Sequence, residues 1–206
     1  TEDLGEKYLI FQNNQYKTTK NMTIKSDFTI EIFTTAKRYN AGETVSITGN
    51  SEPNKNTIIW IKDQNKKIIF YDIFTTNADG SLNYELVTDT TFSPGTYIAT
   101  VKQEGESDAT LFGIGQYPTQ GLVALMNKTN FALNSKAVLS VVGPPSAKLS
   151  IAILDSNDNI KITDSMTLSS VGKNKYTIDL DDISSGVYRA VISSTNIQDS
   201  VKFSVG

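Results

Sequence analysis

Neither cysteine nor histidine occurs in this 206-residue chain. The absence of cysteine excludes disulfide bonds, thiolate nucleophiles and sulfur-ligated metal sites. The absence of histidine removes the side chain whose ordinary pKa suits proton transfer near neutral pH, which is also the commonest metal ligand. Because most hydrolases depend on such a base, the sequence predicts a protein that is not an enzyme, with no catalytic residue and no cofactor site.

Strong charge of one sign and long apolar runs are also missing. The net charge is −3 and the isoelectric point is about 5.0, so no broad positive field favours a nucleic-acid partner. No stretch approaches the roughly 18 apolar residues of a membrane-spanning helix, and the N-terminus lacks the features of a signal peptide. We therefore expect no membrane insertion in this segment, which has the character of a mature or excised piece of a protein.

An internal repeat accounts for most of the chain. In the first part of the repeat unit, matching residues lie 92 positions apart: Ile59 and Ile151, Ile61 and Ile153, Asp63 and Asp155, Gly80 and Gly172, Tyr84 and Tyr176. Later matches lie 91 positions apart: Gly95 and Gly186, Tyr97 and Tyr188, Asp108 and Asp199, Phe112 and Phe203. The two copies span residues 27–115 and 116–206, and because the last copy ends with the chain we expect the parent polypeptide to be longer.

The pattern within each copy is that of β-structure. Short apolar alternations are separated by turn-forming residues, which is typical of an all-β sandwich and not of strands alternating with helices. We predict an all-β fold with two tandem immunoglobulin-like β-sandwich domains of about seven strands each. Residues 1–26 lie outside the repeat and form a short N-terminal arm or the remnant of a preceding domain, and the short joint between the copies predicts an end-to-end arrangement.

Three segments of the first copy carry a resemblance to a known family: Tyr39-Asn-Ala-Gly42-Glu-Thr-Val45-Ser-Ile47-Thr-Gly49, Asn77-Ala-Asp79-Gly80-Ser81 and Ser93-Pro94-Gly95-Thr96-Tyr97. They resemble macroglobulin-type immunoglobulin-like domains, which recur in tandem in archaeal and bacterial cell-surface proteins, including surface-layer proteins. The second copy keeps Gly143, Gly172 and the segment Ser185-Gly186-Val187-Tyr188. The resemblance implies the fold and an extracellular location, while the same fold serves as spacer, adhesive surface or lattice subunit.

Two tyrosines are predicted to be structural. Tyr97 and Tyr188 each follow a glycine, Gly95 or Gly186, by two residues at the start of the sixth predicted strand. Sandwich domains often place there a tyrosine whose hydroxyl group bonds to the backbone of the preceding connection.

The first copy has more apolar surface than its core needs. The repeat places Ile59 and Ile61 on the core side, so Ile58 and Trp60 point to the opposite side, where the second copy has Ser150 and Ala152. The next strand, from Ile68 to Phe74, is apolar on both sides, as expected when both faces of a sheet are covered. Candidate interface residues on these strands are Ile58, Trp60, Ile69, Tyr71 and Ile73.

The N-terminal arm is one possible cover for this surface. It contains Tyr8, Phe11 and Tyr16, apolar or aromatic residues that need burial. We predict that the arm packs on the first copy, with Tyr8 and Phe11 as contact residues. The alternatives are the tail of a preceding module and a strand donated to the open sheet edge of a neighbouring subunit.

One turn of the second copy is a candidate calcium site. Asp155, Asn157 and Asn159 offer oxygen donors at alternate positions, which a hard cation accepts. Asp and Asn also dominate ordinary tight turns, and the glutamate that completes a full calcium loop is missing.

These observations favour a non-catalytic structural and assembly module of a cell-surface protein, in a surface layer or filament. The expected partners are other protein subunits or further domains of the same polypeptide. An adhesive or ligand-binding module, for carbohydrate or protein, is the first alternative. Accessory domains of a larger secreted enzyme are the second.

Overall fold

The computed structural model describes residues 7–12, 17–22, 29–89 and 92–206, with side chains from residue 29 onwards. All regular elements among these residues are β-strands, and residues 29–206 form two β-sandwiches in tandem. The predicted fold class is therefore confirmed. The described residues contain no helix that is long and apolar enough to cross a membrane.

Domain 1 consists of a three-stranded and a five-stranded sheet, with strand orders β3-β5-β8 and β4-β10-β9-β6-β7. The strands are β3 (Glu31–Thr34), β4 (Arg38–Tyr39), β5 (Thr44–Asn50), β6 (Asn56–Asp63), β7 (Ile68–Thr75), β8 (Ser81–Val87), β9 (Gly95–Gln103) and β10 (Glu106–Ile114). Before this domain, β1 (Lys7–Gln12) and β2 (Lys17–Met22) form an antiparallel hairpin.

Domain 2 has the same topology, with strand orders β11-β13-β16 and β12-β18-β17-β14-β15. Its strands are β11 (Val123–Met126), β12 (Asn130–Phe131), β13 (Lys136–Val142), β14 (Lys148–Asp155), β15 (Ile160–Thr167), β16 (Lys173–Asp179), β17 (Gly186–Ser194) and β18 (Ile197–Val205). The register irregularity after Ile61 in β6 recurs after Ile153 in β14. The sequence repeat is therefore also a repeat of strand pairing.

Each sandwich has one more strand than the sequence pattern predicted. The additional strands, β4 and β12, contain two residues each and run parallel to the last strand of their domain. Two residues are too few to show an alternating pattern, so no sequence signal marks them.

The core of each sandwich lies between its two sheets. Ile59 and Ile61 are fully buried in domain 1, as are Ile151 and Ile153 in domain 2. Full burial of an aliphatic side chain contributes about 1.5–3 kcal/mol relative to exposure. The side predicted to face the core is therefore the side that does.

The two domains also share a lateral contact. Ile98 and Leu111 point away from the core of domain 1, on the outer face of its five-stranded sheet, and form an apolar cluster with Val142, Val123 and Leu125. These three residues lie on the outer face of the three-stranded sheet of domain 2. The domains are therefore not arranged strictly end to end as expected, because domain 2 packs against a sheet face of domain 1.

Candidate interaction surfaces

A buried ion pair joins the domains beside the apolar cluster. The Nζ atom of Lys173 lies 2.5 Å from Oδ2 of Asp108, and both side chains are largely buried. Lys173 also donates to the carbonyl oxygen of Ile32 at 2.6 Å and lies 4.8 Å from the ring centroid of Phe33. The same Asp108 oxygen accepts the Ile32 N–H at 2.8 Å. The Asp108 carboxylate, on β10, therefore bonds both to β3 and to a lysine of domain 2.

A second, more exposed ion pair forms at the repeat-equivalent aspartate. Asp199 accepts the Ala124 N–H through Oδ2 at 2.9 Å, and its Oδ1 lies 2.6 Å from Nζ of Lys66. Lys66 belongs to the β6–β7 turn of domain 1 and is about half exposed. Each domain thus contributes a lysine to the aspartate of the other. The repeat marks both aspartates in the sequence, but no local signal identifies their lysine partners.

A cavity of about 480 Å³ lies beside the buried ion pair, between the domains. Its lining carries charges of both signs, including Glu106, Asp108, Lys173 and Lys175. Burial raises the pKa of Glu106, against the opposing effect of Lys128 and Lys175. Burial also lowers the pKa of Lys37, and the nearby positive charge of Lys173 acts in the same direction.

Four of the candidate interface residues form one apolar surface, here named the β6–β7 face: Ile58, Trp60, Tyr71 and Ile73. Trp60 is paired with Tyr71 across the two strands, and Ile58 with Ile73. Tyr71 and Ile73 are more than half exposed, at 56% and 54%, whereas Ile58 and Trp60 are partly buried. The two-sided apolar pattern of β7 predicted that both of its faces are covered, but its outer face is largely exposed at Tyr71 and Ile73.

Ile69 differs from these four residues. It lies at the register irregularity of β7, between Ile68 and Phe70, and packs against the core of domain 1. The inserted residue changes the alternation of sides, which a strict two-residue period does not anticipate.

Domain 2 has no apolar counterpart of the β6–β7 face. In the same register, Ala152 is paired with Thr163 and Ser150 with Ser165. The difference lies in side chains alone, because the strands and their pairing are the same in both domains.

The two predicted structural tyrosines occupy equivalent places. Tyr97 donates its hydroxyl proton to the carbonyl oxygen of Ser93 at 2.6 Å, and Tyr188 donates to that of Ser184 at 2.8 Å. Both side chains are buried. Gly95 and Gly186 are the first residues of β9 and β17, directly after these connections. The burial of Tyr97, followed by the charge of Asp63, raises the pKa of its hydroxyl group.

A second pair of tyrosines bonds to the edge strands and was not anticipated from the sequence. Tyr84 donates to Oδ2 of Asp72 in β7 at 2.6 Å, and Tyr176 donates to Oδ2 of Asp164 in β15 at 2.8 Å. The other oxygen of each aspartate accepts the N–H of the next residue in the strand. Burial, followed by the bond to Asp164, raises the pKa of Tyr176 to about 12.

The candidate calcium turn is held together by its own hydrogen bonds. Oδ1 of Asp155 accepts the N–H groups of Asn157 and Asn159 at 2.8 and 3.0 Å, and Oδ2 lies 3.2 Å from Nζ of Lys161. The Asn159 side chain is the first of several donors that lower the pKa of Asp155 to about 2. This geometry is that of an Asx turn. Among the described residues, no group of three or more acidic side chains is placed to hold a metal ion.

Two further candidates lie in the N-terminal arm. Tyr8 and Phe11 belong to β1, but their side chains lie outside the described part of the chain, as does the whole of Tyr16. The predicted packing of the arm on domain 1 stays a prediction.

Comparisons with known proteins give structural likeness at low sequence identity. No family model and no curated protein matches the sequence. The fold is similar to trypsin-activated alpha-2-macroglobulin of Escherichia coli, with a TM-score of 0.39, 10% identity, and coverage of 96% of this chain and 18% of that one. It is also similar to a tetra-tandem repeat from the extending region of a large adhesion protein, with a TM-score of 0.41, 14% identity, and coverage of 92% and 52%.

A third similar structure is the adhesin InvE of Yersinia pseudotuberculosis. The TM-score is 0.35 and the identity 12%, over 86% of this chain and 58% of that one. This chain therefore spans less than a fifth of the macroglobulin and little more than half of either adhesion-protein structure.

Proposed function

We propose that this chain is a non-catalytic structural and assembly module of a cell-surface protein, in a surface layer or filament. The observation that carries the proposal is the β6–β7 face, because contiguous exposed apolar surface on a folded domain usually marks a protein contact. The residues at the centre of this face, Trp60 and Tyr71, are of the types that dominate the energetics of protein interfaces.

The contact between the domains supports the same function. An apolar centre, a buried ion pair and a second ion pair fix domain 2 on domain 1. Such a joint holds two modules in one orientation, which suits a load-bearing or lattice-forming element more than a flexible tether.

An adhesive module remains the second candidate function. The single tryptophan, Trp60, and the neighbouring Tyr71 provide aromatic surface of the kind on which a sugar ring stacks. Both residues lie in the middle of strands on a broad sheet face, whereas exposed aromatics on the loops at one end of a sandwich would favour adhesion. The geometry therefore supports contact with another protein surface.

Antibodies against the purified chain test the proposal. They should label intact cells of the source organism, and the protein should sediment with surface material after the cells are broken. An antibody against a cytoplasmic protein is the control, since it should label only permeabilised cells. Labelling of this protein that also requires permeabilisation would contradict a surface role.

A further inference from the structure

We propose that the β6–β7 face is an isologous contact between two copies of this chain, related by a two-fold axis. This inference rests on the proposed assembly function and names the partner. In such a contact the same surface is used by both copies, so the surface must be complementary to itself.

The composition of the face meets this requirement. Its four residues, Ile58, Trp60, Tyr71 and Ile73, carry no formal charge, so no like charges are brought together at the centre when the face meets itself. Lys62 follows Trp60 at one end of the face. At the other end Asn56 is paired with Thr75, and Lys102 of β9 is paired with Ile58. Both lysines lie at the rim of the face, and the part that meets itself on a two-fold axis is uncharged.

The face continues an existing interface. Ile98, which contacts domain 2, is paired with Lys62 on the outer side of the same sheet, and β9 is the direct neighbour of β6. Domain 2 thus covers the part of the outer face formed by β9 and β10, and the part formed by β6 and β7 lies outside this contact. The outer surface of one sheet is already used for sheet-on-sheet packing within the chain.

Other apolar surfaces of the described residues fit less well as the partner. Domain 2 presents Ser150, Ala152, Thr163 and Ser165 at the equivalent positions, and the apolar side of its three-stranded sheet is occupied by domain 1. Ile68, which is paired with Lys62 at the border of the face, is also exposed. The other large apolar side chains that are exposed lie on different strands and turns: Val87, Tyr117, Leu133, Ile160, Val171 and Val187. A second copy of the β6–β7 face is therefore the surface of matching character.

The free edge of β7 offers a poorer contact than its face. The N–H of Ile73 donates to Oδ1 of Asp72 at 2.8 Å, while Oδ2 of Asp72 accepts the Tyr84 hydroxyl. A strand added to this edge meets a negative charge in the middle of β7, and charged edge residues discourage such pairing. The structure favours association of faces over extension of the sheet.

Sedimentation velocity of the full chain tests the proposal, at concentrations up to about 100 μM, which reveals any dimer with a micromolar Kd. The unmodified chain should dimerise, and the double variant Tyr71→Lys with Ile73→Lys should dimerise at least about tenfold more weakly because like charges then meet at the axis. The matched control in domain 2, Thr163→Lys with Ser165→Lys, should dimerise as the unmodified chain does. A monomeric unmodified chain, or equal behaviour of the two double variants, would overturn the proposal.

Introduced cysteines test the symmetry directly, since the chain has no cysteine of its own. Tyr71→Cys or Ile73→Cys should give disulfide-linked dimers on mild oxidation, whereas Ser165→Cys should stay monomeric. Deletion of residues 1–26 identifies the rival occupant. If the full chain is monomeric and the deletion variant dimerises, the arm covers the face in the full chain, and the proposed contact between two full chains is excluded. Surface labelling of cells would stand in either case, so the two proposals fail separately.

Discussion

Lys173 makes two polar contacts across the domain interface, and nothing in the sequence around it indicates this role. It bonds to Asp108 and to the carbonyl oxygen of Ile32, and both members of the ion pair are largely removed from water. Removal of one partner from a buried pair leaves the other charge without compensation, which costs more than the loss of an exposed pair.

We expect Lys173→Ala to lower the free energy of unfolding by about 2–4 kcal/mol, because Asp108 then lies uncompensated at the interface. Urea denaturation measures the change. Lys66→Ala is the matched control, since it removes the other interdomain lysine, whose side chain is 54% exposed, and should cost less than about 1 kcal/mol. Equal losses for the two variants would show that burial of the first pair has no energetic consequence.

The hydroxyl groups of Tyr97 and Tyr188 allow a second prediction at the residue scale. Each makes one buried hydrogen bond to a backbone carbonyl in its own domain. Tyr97→Phe and Tyr188→Phe should each cost about 1 kcal/mol of stability, and the double variant should lose the sum because the sites share no contacts. Thermal and urea denaturation of the three variants measure this. A loss of dimerisation without a loss of stability would contradict a structural role.

At the scale of elements, the edge strands β7 and β15 are held by the same arrangement. In each, an aspartate accepts a tyrosine hydroxyl from the opposite sheet and the N–H of its own neighbour. The Tyr84 hydroxyl, followed by the Ile73 N–H, lowers the pKa of Asp72. The Ser165 N–H, followed by the Tyr176 hydroxyl, lowers the pKa of Asp164.

These shifts predict acid sensitivity. A carboxyl group whose pKa is lower in the folded state stabilises the fold above its unfolded pKa, near 4, and that contribution is lost as the pH falls through the folded value. Melting temperatures should therefore decline as the pH falls below about 4, with Asp155, whose pKa is about 2, contributing to the low end of the range.

The double variant Tyr84→Phe with Tyr176→Phe identifies the source of this sensitivity. It lacks the two hydroxyl donors that favour the charged carboxylates, so its melting temperature should depend less steeply on pH in the acid range. Tyr71→Phe, which changes an exposed tyrosine on the outer face, should keep the slope of the unmodified chain. An unchanged slope in the double variant would show that these bonds do not couple to folding.

At the scale of the whole molecule, the contact between the domains uses surfaces that are not repeated. Leu111 faces domain 2 in the interdomain cluster, but its repeat equivalent is Lys202, which is exposed on domain 2. Ile98 likewise corresponds to Arg189. The outer face of the five-stranded sheet of domain 2 therefore lacks the two apolar residues with which domain 1 contacts domain 2.

Leu111→Asp should separate the pair without disturbing either core, since Leu111 lies on the outer face of domain 1. Small-angle X-ray scattering should show a larger radius of gyration, and urea unfolding should resolve into two transitions. Lys202→Asp, the same change at the equivalent position of domain 2, should leave both measurements unaltered. An unchanged radius of gyration in Leu111→Asp would show that the ion pairs alone hold the domains.

The sequence by itself determined the all-β fold, the two copies and the core side of the central strands, because hydrophobic alternation and the repeat are local properties of the chain. It also indicated the apolar excess at Ile58, Trp60, Tyr71 and Ile73. Only the tertiary structure decided that Ile69 turns towards the core, that Lys173 meets Asp108, and that domain 2 covers half of a sheet face. Those outcomes depend on a register irregularity and on contacts between residues tens of positions apart, which no local pattern encodes.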